Sequence, residues 1–438
     1  SPAHTHLVAA TQRLEPAHNL RYPSSMTSYA AFIGHQPALS TVEIAALLPD
    51  FSLRKQYKDV VIFDTSLSLN QEFLDLLGGT IALARSVTEQ SIELQDVPAL
   101  LANELKGGKR SKVVFSLRSS GVSPRQLHGL YRACKQFLKR QGQPSRYVGT
   151  ERKAASAVLL HEHDMLNGKR NAELALITDP ETGDIWVGRT VGAQDVDAYS
   201  KRDIEKPVRD TTVGLLPPKL AQALLNLGVF AVRTRQQKAA KQTAKFTLPV
   251  LTVLDPFCGT GVIPMECLLR SWDVLASDAS QKAVNGCTKN LDWLRKERKI
   301  AKKDATSDVW KQDALTPFAL KKLPDIVVTE TTLGPPLEKR PTLKDVQKLR
   351  TENDALQVAF LQNAAATLPG VPLVCTYPVW YSSKQPEFLR RVWDEAAKIG
   401  YSPALPVEPP ETTERISLLY RRPGQFVGRE IVVWMPAQ

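Results

Sequence analysis

The stretch TVLDPFCGTGV (252–262) limits what this 438-residue chain can fold into more than any other. A short apolar run ends at Asp255, a turn containing Gly259 and Gly261 follows, and VIPMECLLRSW continues with helical character. Glycines let such a turn approach a ligand closely, and the helix N-terminus behind it favours polar or negative groups. From about residue 205 the chain keeps alternating. Apolar strands are expected near 251–255, 273–277, 325–329 and 371–377, with helical segments between them, which implies a parallel sheet. The final ISLLYRRPGQFVGREIVVWM (416–435) reads as an antiparallel hairpin at the edge of that sheet.

The glycine turn alone leaves its ligand open. It lacks a full G-x-G-x-x-G, and no Lys-Ser/Thr follows, so neither a dinucleotide nor a P-loop nucleotide is favoured. The next strand ends in VLASDAS with Asp278 at its tip. A carboxylate there can accept hydrogen bonds from both ribose hydroxyls of an adenosine-type ligand. The competing role is the N-cap of SQKAVNGCTKNLDWL, open to Asp278 or Ser280. Asp313, in WKQDALTPF, follows where a third carboxylate would lie near an adenine edge, or it is an ordinary turn residue. The fourth strand, in PDIVVTETTLGPP (324–336), delivers Glu330, Thr331, Thr332 and Leu333 at its end.

The sequence before residue 205 reads differently. Residues 1–25 are expected to be an expression remnant or a disordered extension, because Met26 followed by TSYAAFIG looks like a natural start. Residues 26–90 read as a small α+β unit with strands in SYAAFIG and DVVIFDT, and a helix in STVEIAALLP capped by Ser40/Thr41 with Glu43 behind. Residues 91–197 read as a second α+β unit. Its helix, SPRQLHGLYRACKQFLKRQG, is capped by Ser123 and carries Leu127, Leu130, Cys134, Phe137 and Leu138 on one face. ELALITDPETGDIWVGRTVG reads as a hairpin. Residues 198–214, charged and interrupted by Pro207, are expected to be the linker to a third domain, 215–438.

A net charge of +12 favours a polyanionic partner. Three basic clusters could grip phosphates or simply face solvent: Lys106, Lys109, Arg110 and Lys112; then Arg132, Lys135, Lys139, Arg140 and Arg146; then Arg233, Arg235, Lys238, Lys241 and Lys245. No apolar run is long enough for a membrane span. None of the five cysteines forms a CxxC pair, so no zinc is expected and a reducing, cytoplasmic setting is. The histidines of HEH (161–163) read as helix surface, and no metal is expected.

Taken together, DPFCGTG, the Asp278 tip, the Asp313 segment and VVTETTLG, in this order, resemble the Rossmann-like methyltransferases that use S-adenosylmethionine. RDTTVGLLPPKLAQALLNLG (209–228), GRTVGAQDVDAYSKRDIEKPVRD and LYRRPGQFVGREIVVW are similar to THUMP-containing tRNA guanine-N2 methyltransferases that modify guanosine at tRNA position 10, bacterial members included. The resemblance implies a ferredoxin-like domain (26–90), an RNA-binding THUMP domain (91–197) and a catalytic α/β domain. It implies tRNA as partner, with a small activating subunit for some relatives. It places the cofactor at Asp255, Pro256, Phe257, Cys258, Gly259, Thr260, Gly261, Asp278 and Asp313, and RNA at Lys109, Arg110, Lys112, Arg132, Lys135, Lys139, Arg140 and Arg146. DNA amino-methyltransferases share the chemistry and are the alternative. In these enzymes the fourth strand ends in an Asp/Asn-Pro-Pro-Tyr-like motif, whose acceptors take the amine's protons while an aromatic ring stacks on the base. Glu330-Thr331-Thr332-Leu333 departs from it: no proline stiffens the backbone and no ring is offered, so Phe257 or Tyr377 would have to supply the stacking surface. A protein that binds cofactor and RNA with little transfer activity is the second expectation.

Overall fold

The computed structural model describes residues 26–105, 111–150, 154–210, 215–236, 246–335, 337–383, 385–408 and 415–437. Residues 1–25 lie outside them, as do Lys106, Lys109, Arg110, Lys238, Lys241 and Lys245. Among the described residues no helix is long and apolar enough to cross a membrane.

The first half begins as βαββαβ: β1 (Thr27–Ile33), α1 (Pro37–Leu47), β2 (Ser52–Gln56), β3 (Val60–Thr65), α2 (Gln71–Asp75) and β4 (Thr80–Ser86). It continues with α3 (Val97–Glu104), β5 (Val113–Ser120), α4 (Pro124–Arg140), β6 (Ser145–Tyr147), α5 (Ala157–Glu162), β7 (Ala172–Thr178) and β8 (Ile185–Ala193). The two blocks share one sheet of order β2-β3-β1-β4-β8-β7-β5-β6, because β4 and β8 pair antiparallel. α4 is built as its sequence requires: Ser123 caps it in a reciprocal pair with Gln126, and Leu127, Leu130, Cys134 and Leu138 are buried. α1 starts earlier than the Ser/Thr pattern implies. Pro37 opens it, and Ser40 and Thr41 lie inside, bonding back to the carbonyls of Gln36 and Pro37.

α6 (Val196–Ser200) and one π-helical turn, Lys201–Glu205, lead toward α7 (Pro218–Gln236). The second half comprises β9 (Thr252–Asp255), α8 (Val262–Leu269), β10 (Asp273–Asp278), α9 (Gln281–Arg298), β11 (Ser307–Lys311), β12 (Ile326–Glu330), α10 (Leu343–Thr367), β13 (Leu373–Trp380), α11 (Arg391–Lys398), β14 (Tyr401–Pro403), β15 (Leu418–Tyr420) and β16 (Val427–Pro436). The sheet order is β11-β10-β9-β12-β13-β16-β14, with β15 on β16. β9 to β13 pair in parallel, and β16 runs antiparallel to β13 and β14. The four expected strands are present. β16 is not at the edge, however: it is wedged between β13 and β14 with Gly428–Trp434 buried throughout, the charged Arg429 and Glu430 included. The strand order reverses between β9 and β12, so a crevice opens beyond their carboxyl ends, where ligands bind in open α/β sheets.

α7 is buried on nearly every turn, between the helices of the first sheet and the second sheet. Gly228 permits this approach, since a Cβ there would sit 3.3 Å from Val328 Cγ2. One apolar core therefore runs from Tyr29, Val42 and Phe63 through Leu224 and Leu227 to Val253 and Ile326. Glu43, fully buried within it, accepts from the Gly78 and Gly79 N–H groups (2.7 and 2.9 Å) and from Asn226 Nδ2 (2.8 Å). Burial outweighs these bonds and pushes its carboxyl up to about 7.

Candidate active site

The crevice at the strand reversal is a cleft of about 370 Å³. Its floor is the glycine turn between β9 and α8. Gly259 and Gly261 hold φ of +51° and +89°, and a Cβ on Gly261 would stand 2.7 Å from Cys287 Sγ. Both constraints exclude a side chain at 261. Asp255 ends β9 and is almost wholly buried, accepting at Oδ1 from Thr329 Oγ1 (2.7 Å) and Phe257 N (3.3 Å). Burial raises its carboxyl to about 7 against those two bonds. Asp278, at the tip of β10, accepts from Gly259 N at Oδ2 (3.0 Å) and from Ser280 N at Oδ1 (2.9 Å). The cap of α9 is Ser280, whose hydroxyl accepts from Ala283 N, so Asp278 is not consumed in that role.

The opposite wall is the end of β12. Glu330, Thr331, Thr332 and Leu333 all line the cleft, together with Asp255, Phe257, Cys258, Gly259, Thr260 and Asp278. Their side chains are not equivalent. Thr331 is buried and donates its hydroxyl to Thr376 O (2.5 Å), which fixes the backbone where prolines would otherwise do so. Thr332 accepts from Gly334 N (3.3 Å), within a loop where Gly334 holds a φ of +79°. Glu330 Oε1 accepts from Arg429 Nε on β16 at 2.5 Å, both side chains being nearly buried. Burial raises the Glu330 carboxyl, and Arg429 opposes that shift. Among the described residues no other hydrogen bond reaches the Glu330 carboxylate, and Oε2 accepts none.

Some expected residues lie elsewhere. Asp313 does not line the cleft: it is exposed, and its Oδ1 accepts from Leu315 N within its own turn. Pro256 is likewise absent from the lining. Tyr377 cannot stack on a base, because it is fully buried with its hydroxyl accepting from Trp434 Nε1 (2.9 Å). Phe257 does line the cleft, propped edge-on by Phe360 at 5.1 Å. Arg429, Thr329 and the segment Val208–Asp210 were missed; the one signal was two adjacent charged residues, Arg429 and Glu430, set in the otherwise apolar strand VGREIVVW.

On the first sheet, Lys112, Lys135, Lys139 and Arg146 line two joined grooves of about 410 and 610 Å³ beside Tyr131 and Tyr147, which stack at 4.7 Å. Arg132 and Arg140 are exposed outside them. Arg233 of the third cluster is spent on structure, donating to Leu47 O and Thr247 O.

A family model described as "Conserved hypothetical protein 95" matches residues 235–359, from before the glycine turn to past Glu330. No curated protein sequence matches the chain. Solved structures similar to it include TrmN from Thermus thermophilus, 17% identical, covering 94% of this chain and 100% of that one with a TM-score of 0.47. A predicted N6-adenine-specific DNA methylase from Listeria monocytogenes is 11% identical, covering 80% of this chain and 89% of that one (TM-score 0.39). Magnesium protoporphyrin IX methyltransferase from Synechocystis PCC 6803 with bound SAM is 16% identical, covering 56% and 99% (TM-score 0.29).

Proposed function

We propose that this chain is an S-adenosylmethionine-dependent methyltransferase acting on the exocyclic N2 amine of a guanosine in tRNA, at position 10. One observation carries the reading. The glycine turn, the Asp278 carboxylate and the Glu330 carboxylate face a single cleft at the point where the strand order reverses. The lining suits an adenosyl group: Phe257, Val262, Ile263 and Ala283 offer apolar contact, and Asp278 keeps lone pairs for ribose hydroxyls. A bound S-adenosylmethionine would supply an electrophilic methyl group.

The chain's own residues do the rest. A guanine amine is a poor nucleophile because its lone pair is delocalised into the ring. Accepting its N–H hydrogens restores some of that lone pair, and Glu330 Oε2 is the acceptor left open for this. Arg429 holds Oε1 and favours the charged form of the carboxylate, which keeps it an acceptor. Thr331, tied to Thr376 O, fixes where the strand end points. Phe257 is the one aromatic side chain among the cleft's described lining residues, and stacking a base on it contributes about 1–3 kcal/mol.

The first half suits a polynucleotide. The βαββαβ order with sheet order β2-β3-β1-β4 supports the ferredoxin-like reading of 26–90. In 91–197, Lys112, Lys135, Lys139 and Arg146 around the Tyr131–Tyr147 stack combine phosphate-binding cations with ring faces, which supports a THUMP-like, RNA-binding role. The five buried free cysteines agree with a reducing cytoplasm.

The test is tritium transfer from S-adenosylmethionine to unmodified tRNA, and to the same tRNA with inosine at the target guanosine, which lacks the N2 amine. Label on the first and none on the second is expected; equal label on both overturns the N2 assignment. A duplex DNA arm decides the amino-methylation of DNA. A second reading, a cofactor- and RNA-binding protein without transfer, is favoured by the engaged Thr331 hydroxyl and Glu330 Oε1 and by the lack of a ring at 331–334. Cofactor and tRNA binding without label would establish it.

A further inference from the structure

Lys282, Gly286 and Asn290 stand four residues apart along α9 and so share one face. All three meet the same short segment, 208–210. The Lys282 ammonium lies 2.8 Å from the Asp210 carboxylate. A Cβ on Gly286 would stand 3.0 Å from Val208 Cγ1, so the missing side chain is what lets Val208 seat. Asn290, fully buried, donates from Nδ2 to Val208 O (2.9 Å) and Thr260 O (2.8 Å) and accepts at Oδ1 from Val208 N (2.9 Å). One side-chain amide thus satisfies both backbone groups of Val208, as a neighbouring strand would, and ties them to the glycine turn. Val208, Arg209 and Asp210 line the cleft. The segment is anchored again on either side: Arg202 Nε to Glu266 Oε1 of α8 at 2.6 Å, both buried, and Arg429 Nη2 to Leu215 O at 3.4 Å.

We propose that 208–210 is a wall of the cofactor cleft and that Asn290 and Gly286 are the positioning residues that hold it there. Retention of the cofactor thereby depends on the segment that arrives from the RNA-side half of the molecule. The identity of the ligand rests on the function proposed above; the clamp on the wall does not.

Hydrogen exchange over residues 205–210 and the dissociation rate of S-adenosylmethionine are measured for the full chain, for Gly286→Ala, for Gly286→Ala with Val208→Ala, and for Asn290→Leu. Gly286→Ala is expected to speed both exchange and dissociation about tenfold, the size of losing one buried pairing. Adding Val208→Ala removes the methyl that the new Cβ meets and restores both toward the parent. Asn290→Leu speeds both as well, and Val208→Ala does not rescue it because the lost partners are backbone groups. A merely structural role lowers the melting temperature of Gly286→Ala and leaves dissociation unchanged, which overturns the proposal. Should the parent protein bind no S-adenosylmethionine, the proposed function falls, and exchange decides the wall by itself: rates unmoved by Gly286→Ala and Asn290→Leu overturn it.

Discussion

Replacing Arg429 with Gln tests the Glu330 arrangement most directly. The guanidinium and the carboxylate are 2.5 Å apart, with side-chain exposures of only 4% and 12%. Removing one partner of such a buried pair costs about 3–5 kcal/mol, because the other charge is left without compensation. Burial already raises Glu330, and Arg429 is the group that opposes it, so Arg429→Gln drives the carboxyl further up. The sign follows: an acid raised in the folded state subtracts from stability as pH climbs from its unfolded value to its folded one, and the substitution stretches that window upward. The melting-temperature deficit of Arg429→Gln should therefore widen as pH rises. Single-turnover transfer should move the opposite way. Protonated Glu330 carries a hydrogen where it should accept one, so the variant is slow at low pH and recovers at higher pH than the parent does. Pairing Arg429→Gln with Glu330→Gln leaves no isolated charge. The double variant should be more stable than the two single losses together imply, by about 0.5–3 kcal/mol of coupling. Additive losses, or an Arg429→Gln pH profile that superimposes on the parent, would refute the reasoning. The stability cycle gives its answer even in a protein that transfers no methyl group.

Other expectations follow from single contacts. Gly261→Ala places a Cβ 2.7 Å from Cys287 Sγ at a φ of +89°, so calorimetry should show a loss of about 1–3 kcal/mol and titration a loss of cofactor binding. Asp255→Asn keeps the acceptor toward Thr329 but removes a carboxyl raised to about 7. As pH rises from ~4 to 7, Asp255 alone should cost the parent up to ~4 kcal/mol of urea-measured stability and Glu43 up to ~3 kcal/mol more, whereas the variant should keep only the Glu43 loss. Ala at Lys135, Lys139 and Arg146 together should reduce the slope of log affinity for tRNA against log salt by about 2–3, whereas Ala at Arg132 and Arg140, which lie outside the grooves, should change it less.

What could be read from the sequence and what could not divide along a physical line. Asp255, Gly259 and Gly261 were legible because the turn they build is local, a strand end, a glycine turn and a helix start within a few residues, and Asp278 because it closes the next apolar strand. Ser123 and the apolar face of α4 were legible for the same reason. Asp313 was expected in the cleft from its order in the chain alone, and order does not say where a side chain points; its oxygen serves Leu315 N instead. Arg429 and Glu330 are 99 residues apart in sequence, and Asn290 and Val208 are 82 apart. No local pattern marks either pair, because each exists only once β16 is inserted beside β13 and α9 is packed against the incoming segment. The placement of β16 was itself missed: the turn at RRPGQ marks a hairpin but not which strand receives it.

The connection between the two halves shows how this bears on function. Its charge and Pro207 suggested a tether whose length would set the distance from the RNA-binding face to the catalytic cleft. A tether acts through reach, which its length and its composition-dependent stiffness set, and not through specific contacts. The described part of this segment acts through contacts: Arg202 is buried against Glu266, Val208 is paired with Asn290, Asp210 is held by Lys282, and α7 beyond it lies inside the shared core. Lengthening a tether leaves the cofactor site untouched. Lengthening this segment by a residue between Arg202 and Val208 must break one anchor or the other, and either break displaces a wall of the cleft. Under the proposed function, the spacing between the two halves and the wall of the cleft are therefore set by the same few residues, so a change in one is expected to change the other.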